Sequence, residues 1–365
     1  MAEIRLESVA KTFGTFAAVK GVSFTVDHGS FFVILGPSGC GKTTTLRMTA
    51  GLELPTAGRI LLGGEDVTAL PASARDIAFV FQLFALYPHM NVRQNIGFPL
   101  RCQNHARGEI RRSVEETARL LRIDHLLERR VGGLSGGDRQ RVALGRAIVR
   151  RPKAFLMDEP LGALDAEFRR LMCGELRELH DRIDATTVYI THDQLEAMAM
   201  ADRIAIMNQG RVEQIGSPQE IYDRPRTMFV ADFIGAPPMS FLNVQAALQR
   251  GDRSIWVDGV AVAMPEIFED RAEGRLALGV RPENVGFADA SSLRGRVIGA
   301  EYLGTTQIVT VVTACGQLKA RLPSGQPVRV GETVGLTLQP DRLSLFDAAS
   351  GQALASALEA GGGHG

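Results

Sequence analysis

Short apolar runs alternate with longer amphipathic stretches over the first two thirds of the chain. Phe31-Phe32-Val33-Ile34-Leu35, Ala154-Phe155-Leu156-Met157 and Thr187-Val188-Tyr189-Ile190 are continuously apolar or β-branched, and glycine, proline or charge bounds each. Such runs predict strands of a sheet covered on both faces. Their alternation with helix-like stretches predicts a parallel α/β sheet from residue 1 to about 236. Between about residues 91 and 150 the pattern changes: Glu109 through Arg130 carries Arg, Glu and Leu at helical spacing, which predicts a helical insertion. Its doubled arginines, Arg111-Arg112 and Arg129-Arg130, are interleaved with glutamates, as on a solvated helix face rather than a phosphate patch. Ala236-Pro237-Pro238 breaks the periodicity and reads as a linker. Beyond it, Val297-Ile298 and Gln307 to Val312 are short and β-branched, with Gly-containing turns between, predicting a small antiparallel barrel over residues 237–354. The Ala/Gly-rich end, Ala355 to Gly365, reads as a frayed tail.

Length agrees with two domains, because 365 residues exceed what one core of roughly 250–300 residues usually organises. A hydrophobic content of 45% and a charged content of 22% argue against wholesale disorder. Forty-one basic residues balance forty-one acidic ones, which removes any general electrostatic reason to expect nucleic acid or anionic lipid as the main partner. No apolar run reaches the roughly 20 residues needed to span a bilayer. The start, Met1-Ala2-Glu3-Ile4-Arg5, lacks the basic-then-apolar pattern of a secretory signal. Cys40, Cys102, Cys173 and Cys315 show no metal or pairing spacing. Together these features suggest a cytoplasmic protein.

The chemistry begins at Gly36-Pro37-Ser38-Gly39-Cys40-Gly41-Lys42-Thr43, which fits GxxxxGK[ST] between the apolar run Phe31 to Leu35 and the helix-compatible run Thr44 to Ala50. Glycines there let backbone N–H groups turn toward phosphate oxygens, and the following helix adds its positive end. Lys42 is placed to reach the β and γ phosphates and the Thr43 hydroxyl to ligate Mg²⁺. This predicts a nucleoside triphosphate site. The run Ala154 to Met157 ends in Asp158-Glu159; a buried strand ending in two carboxylates needs a cation or a proton there. Asp158 fits the holding of Mg²⁺, directly or through water, and Glu159 the polarising of the water that attacks the γ-phosphate.

Between those motifs lies Leu134-Ser135-Gly136-Gly137-Asp138-Arg139-Gln140-Arg141, which resembles the signature of ATP-binding-cassette (ABC) ATPases. Further motifs of that family follow in order. Phe13 matches the aromatic that stacks on adenine, Gln82 the Q-loop glutamine, Leu161-Gly162-Ala163-Leu164-Asp165 the D-loop, and His192 the switch histidine. Phe79 to Met90, Gly145 to Arg150 and Phe233 to Met239 are similar to importers of carbohydrates and glycerol-3-phosphate. Gly279 to Val285 and Tyr302-Leu303-Gly304 resemble the oligonucleotide-binding-like accessory domain of that subfamily.

The resemblance implies a P-loop ABC ATPase domain of α/β class over residues 1–236, with the helical insertion, followed by the all-β domain. It implies ATP and Mg²⁺ as cofactors, with Phe13, Gly36, Pro37, Ser38, Gly39, Cys40, Gly41, Lys42, Thr43 and Thr44 around the nucleotide. Ser135, Gly136 and Gly137 would cover the γ-phosphate bound to a second ATPase subunit, identical or not. Locally, a simple helix N-cap is the bland alternative for Ser135. Thr43, Gln82 and Asp158 would face Mg²⁺, and Gln82, Glu159 and His192 the attacking water. Leu83 to Met90 would receive a short helix from one of two membrane permease subunits, an extracytoplasmic solute-binding protein acting indirectly. The implied place is the cytoplasmic face of a bacterial inner membrane. Two positions depart from the family pattern: Asp138, where Gln is usual, and Gly162, where Ser is common. Asp138 adds negative charge near a partner's triphosphate and should slow closure. A soluble ABC protein acting on DNA or ribosomes would carry paired cassettes or coiled-coil insertions, and neither is present. A nucleotide-sensing module without turnover would not need Lys42, Glu159 and His192 together.

Overall fold

A computed structural model describes residues 2–82, 85–162, 164–183 and 185–360. The chain divides into two compact units, Met1–Pro218 and Gln219–Gly365. In the first, the strands are β1 (Ile4–Phe13), β2 (Phe16–Val26), β3 (Phe31–Leu35), β4 (Ala57–Leu62), β5 (Glu65–Asp66), β6 (Ile77–Val80), β7 (Ala154–Asp158), β8 (Thr187–Thr191), β9 (Arg203–Asn208) and β10 (Arg211–Gly216). The helices are α1 (Lys42–Ala50), α2 (Val92–Cys102), α3 (Arg107–Leu120), α4 (Gly136–Ile148), α5 (Ala166–Ile183) and α6 (Gln194–Met200).

The central sheet has the order β10-β9-β3-β8-β7-β6, parallel except for the β10 edge. All five residues of β3 and of β8 are buried, which is why those stretches are continuously apolar or β-branched. Register places Leu35 beside Thr191 and Asp158 beside Ile190. The loops that leave β3, β7 and β8 therefore emerge along one edge, outside the carboxyl ends of the strands, where parallel sheets bind ligands.

Residues 4–26 and 57–66 do not join that sheet. They form a separate antiparallel one, β2-β1-β4-β5, in place of the parallel arrangement predicted for this stretch. Only two residues separate Phe13 from its partner Phe16, and so short a connection permits only antiparallel pairing. Along β1, buried Ile4 and Leu6 flank exposed Arg5. Phe24 stacks on Phe32 at 5.1 Å, within the core that the two sheets share.

Two buried basic side chains tie this core together. Arg75 donates to the carbonyls of Met48 (2.6 Å), Thr49 (3.0 Å), Thr68 (3.0 Å) and Leu70 (2.9 Å), thereby capping the last turn of α1. His180 on α5 bonds Thr187 Oγ1 and the Gly29 carbonyl, each at 3.1 Å. Because a carbonyl only accepts, Nε2 carries the proton and Nδ1 accepts from the Thr187 hydroxyl.

The predicted helical insertion is α2, α3 and α4 with two 3₁₀ turns between α3 and α4. Asn91 and Gln94 form a capping box at the start of α2. Arg93 reaches Glu115 (3.1 Å) and Glu128 (2.7 Å), and Arg111 reaches Glu115 (3.2 Å), so the interleaved charges pair among themselves on a solvated face.

The second unit is antiparallel β throughout its sheets. Strands 240–248, 271–280 and 344–347 form one sheet and 254–257 with 260–263 a hairpin. Strands 285–287, 333–338, 294–302, 306–313 and 316–323 form a five-stranded sheet. They enclose one apolar core that includes Leu242, Leu278, Val309 and Leu318. This unit begins earlier than the Ala236-Pro237-Pro238 linker suggests. Buried Arg281 donates to the carbonyls of Ala231 (3.1 Å), Ile234 and Tyr222 (2.8 Å), and lies 4.2 Å above the Tyr222 ring. The Met228 amide bonds the Gly351 carbonyl and the Ala353 amide the Arg226 carbonyl. Residues 219–236 thus fold with the β strands downstream of the prolines.

Candidate functional site

The loop after β3 turns inward at Gly41, whose φ is +104°. A Cβ there would lie 2.6 Å from the Ala18 carbonyl oxygen, so both conformation and space require glycine. Lys42 is buried, and its ammonium folds back onto the loop, donating to the carbonyls of Gly36 (2.7 Å) and Pro37 (3.0 Å). Ser38, Gly39 and Thr43 are exposed at the mouth. Cys40 is buried beneath, and burial pushes its thiol up from the ordinary value, so alkylation there requires the loop to open first.

Thr43 Oγ1 donates to Asp158 Oδ1 at 3.3 Å, joining the start of α1 to the end of β7. Burial raises the Asp158 carboxyl above its ordinary range. The Thr43 hydrogen bond opposes the rise, and the adjacent Glu159 charge adds to it. A hydroxyl beside a half-buried carboxylate is a donor set suited to a hard divalent cation, whose charge would offset the burial of that carboxylate, with phosphate and water completing the shell. Among the described residues no group of three or more His, Cys, Asp or Glu could hold a metal alone.

Glu159 follows in the left-handed region, φ +44°, an uncommon conformation for a non-glycine residue. Its amide donates to the Ile190 carbonyl at 3.1 Å. The turned-out carboxylate accepts from Gln82 Nε2 at 3.4 Å and lies 3.2 Å from His192 Nδ1. The structure therefore gathers Gln82, Glu159 and His192 from the ends of β6, β7 and β8. Beneath His192 lies a network that the sequence reading missed. Glu196 accepts from the Tyr189 and Thr191 hydroxyls, both at 2.7 Å, Arg169 pairs with Asp193 at 3.0 Å, and Asp193 caps α6. The Asp-x-x-Glu spacing of Asp193 and Glu196 was a signal for such a helix start.

Ser135 is exposed and caps α4. Its hydroxyl accepts from the Asp138 amide (3.2 Å) and donates to Asp138 Oδ2 (2.7 Å). Gly137 packs so closely that a Cβ would meet the Phe168 ring at 2.3 Å. Among the described residues no hydrogen bond joins Ser135, Gly136 or Gly137 to Lys42, Thr43, Asp158 or Glu159. Phe13 ends β1 with 47% of its surface exposed. Asp165 accepts from the Phe168 amide at 2.9 Å at the start of α5. A Cβ on Gly162 would make only ordinary contact, 3.4 Å from the Glu159 carbonyl oxygen, so packing does not impose the glycine. Ala163 of the D-loop run, and Leu83 and Phe84 of the stretch read as a permease groove, lie outside the described residues. Within that stretch Tyr87 packs on Phe98 at 4.5 Å, and Arg146 donates to the Ala85 carbonyl at 2.6 Å.

A family model described as ABC transporter matches residues 19–162, and a TOBE domain model matches residues 278–346. The sulfoquinovosyl glycerol transport ATP-binding protein SmoE of Agrobacterium fabrum is 44% identical over 354 residues, covering 95% of this chain and 98% of the relative. The chain belongs to the ABC transporter ATPases. The trehalose/maltose import ATP-binding protein MalK of Thermococcus litoralis is 45% identical over 97% of this chain and all (100%) of its own length. Among solved structures, the ATP-binding cassette MJ0796, a dimer in a post-hydrolysis state bound to ADP and Pi, superposes with TM-score 0.53 at 30% identity. That match covers 59% of this chain and 98% of the other. ATP is thus the nucleotide of the cassette, and the second unit is the family's TOBE-type β domain. Among the described residues no helix is long and apolar enough to cross a membrane.

Proposed function

We propose that this chain is the ATP-hydrolysing subunit of a binding-protein-dependent importer for a sugar, polyol or glycerol-3-phosphate-like solute. It would work as one of two ATPase subunits on the cytoplasmic face of a bacterial cell membrane, beneath two permease subunits. The observation that carries the chemistry is the Glu159 carboxylate held between Gln82 and His192, beside the Thr43–Asp158 pair. The similarity to SmoE and MalK supports the solute class.

Lys42 exchanges two neutral carbonyl partners for β and γ phosphate oxygens, which makes stronger, charge-assisted bonds. Gly39, Gly41 and Thr44 line the same turn and offer backbone N–H groups, the Cys40 amide would exchange its Pro37 carbonyl for phosphate, and Phe13 stacks the adenine. Thr43 and Asp158 would hold Mg²⁺ with Gln82 near it; bound there, the ion would supply positive charge against the phosphates. Glu159 orients and polarises the attacking water, His192 fixes that carboxylate and meets the γ-phosphate, and Gln82 closes the third side. Ser135, Gly136 and Gly137 would cover the γ-phosphate held by a second subunit, so turnover requires two chains. Glu159→Gln should abolish at least about 99% of phosphate release by the reconstituted transporter while ATP binding persists. Unchanged release in that variant, or no permease co-purifying with the tagged chain, would sink the proposal.

A further inference from the structure

Lys11 lies two residues before Phe13 on β1. Its ammonium is 4.9 Å from the centroid of the Phe13 ring. The same ammonium pairs with Glu53 Oε1 at 2.6 Å and donates to the Leu54 carbonyl at 2.7 Å. Only 13% of the Lys11 side chain is exposed, against 30% for Glu53, so this is a seated contact rather than a solvated one. Glu53 is itself anchored, its amide donating to the Arg47 carbonyl in the last turn of α1 at 3.2 Å. No other ring lies against Phe13 among the described aromatic contacts, and 47% of the residue remains exposed.

We propose that Lys11 is a positioning residue for the adenine of ATP. It holds the Phe13 ring from one face so that the other receives the purine. This rests on the reading of Phe13 as the adenine platform. An exposed phenyl at a hairpin end would otherwise turn about its side-chain bonds and lose entropy when a base stacks on it. The ring's negative face attracts the ammonium, which fixes its plane in advance. The cation also draws density toward its own side, leaving the open face better suited to offset stacking on an electron-rich purine. Glu53 and the Leu54 carbonyl keep the ammonium from drifting toward the triphosphate.

The test uses the full chain, with ATP and inorganic tripolyphosphate as competing probes of the nucleotide site. Lys11→Met should weaken ATP binding about five-fold while tripolyphosphate binding stays as in the wild type, and the loss should appear in KM more than in kcat. Lys11→Arg, which keeps the cation, should restore most of the affinity, and Glu53→Gln should give a smaller loss in the same direction. Phe13→Ala serves as the control for the platform itself. If Phe13→Ala weakens ATP binding and Lys11→Met and Glu53→Gln do not, the role of Lys11 is overturned and the platform stands. If Phe13→Ala has no effect, the platform reading fails first. Equal losses for ATP and tripolyphosphate in Lys11→Met would show general support of the fold and overturn the proposal.

Discussion

The phosphate loop and the signature turn both sit at helix starts and both read as anion sites, yet they are held very differently. Lys42 is buried and bonded to its own loop, and Thr43 is tied across to β7. Ser135 is exposed, and its hydroxyl is satisfied by Asp138 three residues on. One is an internally braced loop; the other is an exposed turn whose hydroxyl is already paired within its own helix start. The difference is what the proposed two-chain site requires, a braced loop that holds its own nucleotide and an exposed turn left for a second subunit's.

Mutating the two ends separates them. Lys42→Ala should reduce ATP binding by the single chain about 10²-fold and turnover with it. Ser135→Ala should leave single-chain ATP binding intact and still lower turnover about ten-fold or more, measured by phosphate release. Equal loss of binding in both variants would erase the distinction. The bracing itself is tested at Arg75: Arg75→Met removes four hydrogen bonds, two of them to the buried carbonyls of Met48 and Thr49, and should destabilise the cassette by about 3 kcal/mol, read from denaturant midpoints.

A smaller effect is expected with pH. Burial lowers the His180 pKa below its ordinary value, and the nearby Arg177 charge lowers it further. Above pH about 6.5 the ring is neutral folded or unfolded. Below that the unfolded chain takes the proton first, so stability falls until the lower folded value is passed. The melting temperature should therefore drop more between pH about 7 and 5 in the wild type than in His180→Gln. Smallest, and in the signature turn, Asp138→Gln should raise ATP turnover about two- to five-fold by removing one charge and freeing the Ser135 hydroxyl. Unchanged turnover would show that the charge does not oppose closure.

What the sequence displayed well was local. The phosphate loop, Asp158-Glu159 and His192 each follow a buried run, and a run that must be apolar on both faces announces itself without knowledge of its neighbours. The antiparallel pairing of residues 4–26 was less visible, because β1 carries register shifts that blur its alternation. Contacts made over long separations were invisible. Arg75 reaches back 27 residues to the end of α1, and Lys11 forward 42 to Glu53. Neither side chain bears a motif, and each looks in sequence like any other surface cation.

The Arg281 cluster of the second unit has a practical reading. Arg281 needs the carbonyls of Tyr222, Ala231 and Ile234, and those carbonyls belong to the stretch before the two prolines. A gene fragment stopped at 236 would take with it eighteen residues whose partners lie downstream, leaving the orphaned guanidinium of the remainder to face water or aggregate. A break that spares residues 219–236 keeps Arg281 with the three carbonyls it holds.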